Sequence, residues 1–157
     1  MSSRIRALTQ EILVVEDERH DASGVAEALR SDGHRVIRFA NGIVALTHLH
    51  ARLHDGLALP DVLVSDLALR GITGLQVVAS LREVGWTKPA ILLVASVSRE
   101  MQEMARAVGG TFVQERPLDL DALRALVIRC IESRGVAHDD ATDSNVSHAP
   151  ARPGSRR

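Results

Sequence analysis

Two acidic motifs follow short apolar runs of this chain, and their spacing could bring several carboxylates together. Glu16-Asp17-Glu18 comes directly after the run 12–15, and Asp66 closes the run 62–65. Apolar runs without polar alternation are typical of parallel strands that are buried on both faces. Ligands of open α/β sheets bind beyond the carboxyl ends of the strands. Carboxylates that meet there could hold a hard cation, and one of them could act as a nucleophile.

The elements that must position these carboxylates alternate strictly between strand and helix. Hydrophobic periodicity, capping residues and glycine stops predict five strands, each followed by a helix. The strands are predicted at 12–15, 34–39, 62–66, 90–95 and 111–114, the second of them at a sheet edge. Five βα units in succession predict one α/β domain whose parallel sheet is covered by helices on both faces.

Several details of the helices and loops are also predicted. The first helix is expected to begin at Ala22, and the last to end near Gly135. Trp86 is interpreted as a partly exposed loop residue. Ile43 and Leu53 are predicted to face the core from the second helix, and Met104 from the fourth.

Composition excludes several classes of protein. Lys and Arg number 19 against 20 Asp and Glu, and the net charge of -1 does not indicate a nucleic-acid-binding face. No apolar run approaches the roughly 18 residues that a membrane-spanning helix requires. Cys130 is the only cysteine, so an internal disulfide is impossible. These features predict a soluble, cytoplasmic protein without nucleic-acid or membrane partners.

Either acidic motif alone could have a purely structural role, because acidic residues also stabilise the amino end of a following helix. Both motifs together, on strands expected to adjoin, favour a functional site. Mg²⁺ suits such a site because proteins commonly hold it with one or two carboxylates, water and a phosphate oxygen.

The motifs resemble the receiver domain of two-component response regulators. The resemblance rests on both acidic motifs, on Gly74-Leu75, on the segment 89–95 and on Arg116-Pro117, all in order. It implies a doubly wound, flavodoxin-like α/β fold whose five parallel strands have the order 2-1-3-4-5. The implied receiver domain covers residues 11–134, between an N-terminal extension (1–10) and a C-terminal tail (135–157) that is expected to be disordered.

The resemblance also implies a role for each site residue. Asp66 would accept the phosphoryl group of a phosphohistidine or a small phosphodonor. Asp17 would be the main Mg²⁺ ligand, Glu16 an outer or water-mediated ligand, and Asp66 and the backbone carbonyl of Ala68 would complete the set. The cation would neutralise charge on the transferring phosphoryl group.

Four positions depart from the family pattern. Val94 stands where a Thr or Ser hydroxyl is usual, so it offers no donor to a phosphoryl oxygen. Arg116 replaces the usual Lys and could clamp Asp66 in a bidentate pair. Val113 occupies the aromatic switch position, and Arg70 lies where a proline is commoner. These departures predict an atypical receiver.

The resemblance implies signalling by protein contact and not an enzyme. No output domain is expected after Gly135. A histidine kinase or phosphotransfer protein would act upstream, and an unidentified protein downstream. A homodimer could form through the fourth helix, fifth strand and fifth helix.

Two alternatives remain open at the level of sequence. One is a pseudo-receiver, an interaction module in which phosphorylation plays no part. The other is a flavodoxin-like enzyme or nucleotide-binding protein, which is disfavoured because no glycine-rich phosphate loop follows the first strand.

Overall fold

The computed structural model describes residues 9–20 and 22–139 and has five strands and five α-helices. The strands are β1 (Glu11–Val15), β2 (Arg35–Phe39), β3 (Val62–Asp66), β4 (Ala90–Val94) and β5 (Thr111–Glu115). The helices are α1 (Val25–Ser31), α2 (Gly42–His54), α3 (Gly74–Glu83), α4 (Arg99–Val108) and α5 (Leu120–Asp139). A 3-10 helix, Glu18–His20, follows β1. Among the described helices, none has the length and apolar character needed to cross a membrane.

The strands form one parallel sheet with the order β2-β1-β3-β4-β5, as predicted. β1 lies between β2 and β3, and Val15 pairs with Ser65 in the β1–β3 register. Because the strands are parallel, the acidic residues after β1 and at the end of β3 lie at the same edge of the sheet.

Alternate residues of the central strands enter two separate core layers. Ile12 and Val14 pack with α1 and α5 on one face of the sheet. Leu13 and Val15 pack with α2 and α3 on the other face. The unbroken apolar runs of β1, β3 and β4 follow from this burial on both sides.

Side chains cap the helices that approach the acidic edge. Asn41 accepts hydrogen bonds from the first-turn amides of α2. Thr73 and Gln76 form a reciprocal capping box at α3, and Ser98 caps α4. α5 continues to Asp139 instead of ending near Gly135, because a single helical glycine costs only about 1 kcal/mol. Most of the predicted extension (1–10) and tail (135–157) lies outside the described residues.

Four side chains differ from their predicted environments. Ala22 is exposed and precedes α1, which begins only after Gly24 takes a left-handed conformation at φ 76°. Ile43, Leu53 and Met104 are exposed, whereas Ala45, Leu49 and Met101 face the core. The helical period was correct, but the buried faces of α2 and α4 do not include Ile43, Leu53 or Met104.

Trp86 is buried, contrary to the prediction of a partly exposed loop residue. Its indole Nε1 donates to the carbonyl of Pro60 at 2.8 Å. The Arg82 guanidinium lies 4.7 Å from the ring centroid and donates to the carbonyls of Trp86 and Lys88. These contacts join the α3–β4 loop to the segment before β3, so Trp86 belongs to the core layer.

His34 makes the stability of the domain sensitive to mild acid. Burial lowers its pKa below the ordinary value of 6.5, although Asp32 opposes the shift. The unfolded chain therefore takes up this proton more readily than the folded domain. The stability that depends on neutral His34 is complete above about pH 6.5 and is lost as the pH falls below it.

Replacing His34 by Gln should reduce the loss of unfolding free energy between about pH 7.5 and pH 5.5. Urea unfolding at the two pH values measures this difference. His50→Gln, a change on the exposed face of α2, should leave the wild-type pH dependence intact. An undiminished loss in the His34 variant would show that another group is responsible.

Candidate functional site

The acidic residues converge at the carboxyl edge of the sheet. Asp66 ends β3, and Glu16 and Asp17 directly follow β1, its neighbour. All three side chains are buried. Three carboxylates that are withdrawn from water and lie close together repel one another, so they require compensating charges or donors.

Both carboxylate oxygens of Asp66 have donors. Arg116 Nη2 donates to Oδ1 at 2.6 Å. The backbone N–H of Asp17 donates to Oδ2 at 2.9 Å, and His20 Nδ1 lies 2.8 Å from the same oxygen. Since an ionised carboxylate only accepts, this contact requires the proton on His20 Nδ1.

Arg116 connects β5 to the acidic residues of both β1 and β3. The same nitrogen, Nη2, lies 3.0 Å from Glu16 Oε2 and 2.6 Å from Asp66 Oδ1. The predicted bidentate clamp on Asp66 is therefore wrong: one guanidinium nitrogen bridges two carboxylates. Ser23 Oγ donates to the second Glu16 oxygen at 2.9 Å.

Asp17 is paired with basic residues of the loops. The backbone N–H and Nε of Arg19 donate to Asp17 Oδ1 at 3.0 and 2.9 Å, and Arg70 Nε lies 3.9 Å from Oδ2. The hydrogen bonds from the Arg19 amide and guanidinium lower the pKa of the Asp17 carboxyl. Asp17 is therefore held in its ionised form, although both arginine side chains are largely exposed.

A pocket of about 350 Å³ opens beside Asp66. Its wall includes the residues predicted for the site at the ends of β3, β4 and β5, together with His20. The lining side chains are His20, Asp66, Leu67, Ala68, Leu93, Val94, Ala95, Ser96 and Arg116. Val94 is buried and supplies an apolar surface where a hydroxyl was expected from the family pattern.

The predicted Mg²⁺ ligands have suitable chemistry but not a suitable arrangement. Within residues 9–20 and 22–139, no three His, Cys, Asp or Glu side chains are placed to surround one ion. The carboxylate oxygens of Glu16 and Asp66 accept hydrogen bonds from Arg116, Ser23 and His20. Mg²⁺ needs near-octahedral oxygen ligands at about 2.0–2.1 Å, so this arrangement does not fit a bound divalent cation.

Gly74 allows α3 to begin directly against the end of β3. A Cβ atom at this position would lie 2.2 Å from the backbone oxygen of Asp66 and 2.8 Å from Ser65 Oγ. The Gly74 N–H also donates to the carbonyl of Leu67 at 2.9 Å. The contact with backbone explains why only glycine fits beside the acidic site.

Replacing Gly74 by Ala should lower the unfolding free energy by about 1–3 kcal/mol, because the strand end or the helix must shift. Urea unfolding measures this loss. Gly42→Ala is a matched control at the first position of α2, where the closest obstacle is a side-chain methyl group of Ile72 and not the backbone. A smaller loss in the Gly74 variant than in the Gly42 variant would contradict the packing argument.

His20, Ser23 and Arg19 belong to the site but were missed in the sequence. They lie just after the first acidic motif, in a turn whose side-chain directions have no periodic signal. Their polar types and their position after the acidic motif were the available signals. By contrast, the structure places predicted site residues Glu16, Asp17, Asp66, Ala68, Val94 and Arg116 along one edge of the sheet.

Curated proteins provide one line of comparison. The chain is 31% identical over 125 residues to the Regulator of RpoS of Escherichia coli, covering 78% of this chain and 35% of that protein. It is 31% identical over 122 residues to the alkaline phosphatase synthesis transcriptional regulatory protein SphR of Synechococcus elongatus, covering 76% and 46%. The chain thus spans about a third to a half of the length of these relatives.

Solved structures have the same fold. The chemotaxis protein CheY4 of Vibrio cholerae superposes with a TM-score of 0.68 at 25% identity, covering 78% of this chain and 98% of that one. The receiver domain of Francisella response regulator 1452 gives 0.66 at 20% identity, covering 81% and 99%. The family profile of the response regulator receiver domain matches residues 12–128. The chain therefore belongs to the response regulator receiver domain family.

Proposed function

We propose that Asp66 accepts a phosphoryl group from the phosphohistidine of a histidine kinase or phosphotransfer protein. The observation that carries this proposal is the position of Asp66, at the end of β3, on the wall of a pocket that Arg116 also lines. The pocket gives a phosphoryl group access to a carboxylate that is otherwise buried. Receiver domains are generally not enzymes, so the expected output is a change in protein contacts in the cytoplasm.

The proposed transfer exchanges one bond to phosphorus for another. A carboxylate oxygen of Asp66 attacks the phosphorus, and a P–O bond forms as the P–N bond to the donor imidazole breaks. The bonding electron pair leaves with the imidazole nitrogen. Arg116 lies where its guanidinium can neutralise the oxygens of the phosphoryl group, and an arginine is well suited to this role.

Receiver domains typically bind Mg²⁺ for phosphorylation, and Glu16, Asp17, Asp66 and the carbonyl of Ala68 were its predicted ligands. The present carboxylate contacts do not fit that ion. Val94 cannot donate a hydrogen bond to a phosphoryl oxygen, so Arg116 is the proposed charge partner.

Exposed apolar side chains on three elements support output through protein contact. Met104 of α4, Phe112 of β5 and Ile128 of α5 are large apolar side chains that remain exposed. All three lie on the elements predicted to contact a downstream protein or a second copy of the chain. Phe112 is next to Val113, so the exposed aromatic side chain is not at the predicted switch position itself.

Intact-protein mass spectrometry after incubation with phosphoramidate and MgCl₂ tests the acceptor. Phosphoramidate presents a P–N bond, as phosphohistidine does. The wild type should gain one phosphoryl group that peptide mapping assigns to Asp66, and Asp66→Asn should gain none. An adduct of equal yield on Asp66→Asn would overturn the assignment.

A pseudo-receiver is the second candidate, and the Arg116 bridge specifically favours it. Arg116 binds Glu16 and Asp66 together and could hold the site in a single state. A folded wild type that gains no phosphoryl group, under conditions that modify an ordinary receiver, would support this second candidate and contradict the first.

A further inference from the structure

We infer that Arg116 and His20 take the place of a divalent cation at the acidic site, and that the domain does not bind Mg²⁺ at millimolar concentrations. The inference concerns the same site as the proposed function. It does not depend on phosphoryl transfer, because cation binding can be measured without a phosphodonor.

Most carboxylate oxygens of the site are already hydrogen-bonded to donors of the chain. Both oxygens of Asp66 and both oxygens of Glu16 accept hydrogen bonds from the chain itself. Asp17 Oδ1 accepts two more from Arg19. A Mg²⁺ ion between these residues would have to displace several of these donors before it gained an inner-sphere ligand.

The charge of Arg116 also opposes the binding of a divalent cation. Arg116 places a permanent positive charge within hydrogen-bond distance of both Glu16 and Asp66. A divalent cation at the same carboxylates would be repelled by this guanidinium. A lysine ammonium on a flexible stem could turn aside, whereas the arginine is fixed by two carboxylates at once.

His20 contacts the second oxygen of Asp66. Its Nδ1 contacts the oxygen that Arg116 does not, and the ring lines the pocket. Arg116 and His20 therefore contact both oxygens of Asp66 between them. A cation in the pocket would have to compete with these two nitrogen donors for the Asp66 carboxylate.

NMR titration of the full chain with MgCl₂ tests the inference, with KCl at matched ionic strength as the reference. The amide resonances of Asp17 and Asp66 in the wild type should not change in a saturable way. Arg116→Lys should bind Mg²⁺ saturably, at least about 10-fold more tightly than the limit set by the wild-type titration, because partners of metal ligands change metal affinity by about 10–100-fold. Asp66→Asn in the Lys background should remove that binding.

His20→Gln provides a second variant if Arg116→Lys does not fold, and it should also gain affinity for Mg²⁺. Arg124→Lys is the control, because Arg124 pairs with Asp32 away from the site. Saturable binding of Mg²⁺ by the wild type would overturn the inference. Failure of both site variants to gain affinity would overturn the roles of Arg116 and His20. Neither result would bear on whether Asp66 accepts a phosphoryl group.

Discussion

Replacing Arg116 by Met should lower the free energy of unfolding by about 3–5 kcal/mol, the range for removing one partner of a buried ion pair. The side chains of Glu16 and Asp66 are only 1% and 2% exposed, and that of Arg116 is 18% exposed. Methionine would keep most of the apolar stem but leave two adjacent buried carboxylates without their shared cation. Urea unfolding followed by circular dichroism measures the loss.

Three further variants isolate the charge effect of Arg116. Arg116→Lys keeps a cation and should lose less stability than Arg116→Met. Asp66→Asn in the Met background should recover part of the loss, because one of the two repelling charges is removed. Arg99→Met removes an exposed pair with Glu103 and should change stability by only about 0–1 kcal/mol. Equal losses from Arg116→Met and Arg99→Met would contradict the buried bridge.

Replacing Trp86 by Ala should cost about 3–5 kcal/mol, the usual range for truncating a large buried aromatic side chain. The ring is 4% exposed and packs in the core layer that contains Leu81 and Leu92. Truncation would also remove the hydrogen bond to Pro60 and the stacking surface of Arg82. Because Trp86 is the only tryptophan, circular dichroism must follow the unfolding.

Trp86→Phe separates the ring from its hydrogen bond. Phenylalanine keeps an aromatic group over which Arg82 can lie. It loses the hydrogen bond to Pro60, and one such bond contributes about 0.5–1.5 kcal/mol to stability. The Phe variant should therefore lose much less stability than the Ala variant. A loss from Trp86→Ala no greater than that from Trp86→Phe would show that the ring contributes little to the core.

The sheet could be predicted from the sequence because its physical signal is local. The runs 12–15 and 62–64 are apolar throughout because α1 and α5 cover one face of the sheet, and α2 and α3 the other. Trp86 could not be placed in the same way. Its burial depends on partners distant in sequence, since the Pro60 carbonyl that accepts its hydrogen bond lies 26 residues away and its core layer includes residues of β1 and β3.

The sequence predicted most of the residues that form the acidic site but not the contacts between them. Strand order alone brings Asp66 next to the residues that follow β1, and the Arg116-Pro117 turn to the same edge. The sequence did not reveal that one Arg116 nitrogen would bridge two carboxylates. The contact of His20 with Asp66 depends on a short 3-10 turn, for which no hydrophobic period exists.

The most direct test of the account is intact-protein mass spectrometry of the wild type after incubation with acetyl phosphate, in EDTA and in MgCl₂. If Asp66 is the acceptor and Arg116 supplies the neutralising charge, one phosphoryl group should be added in both solutions. Addition in MgCl₂ but not in EDTA would still identify Asp66 as the acceptor. It would contradict the inference that Arg116 and His20 take the place of the cation. No addition in either solution, with a folded wild type and an ordinary receiver modified in parallel, would contradict the acceptor role itself.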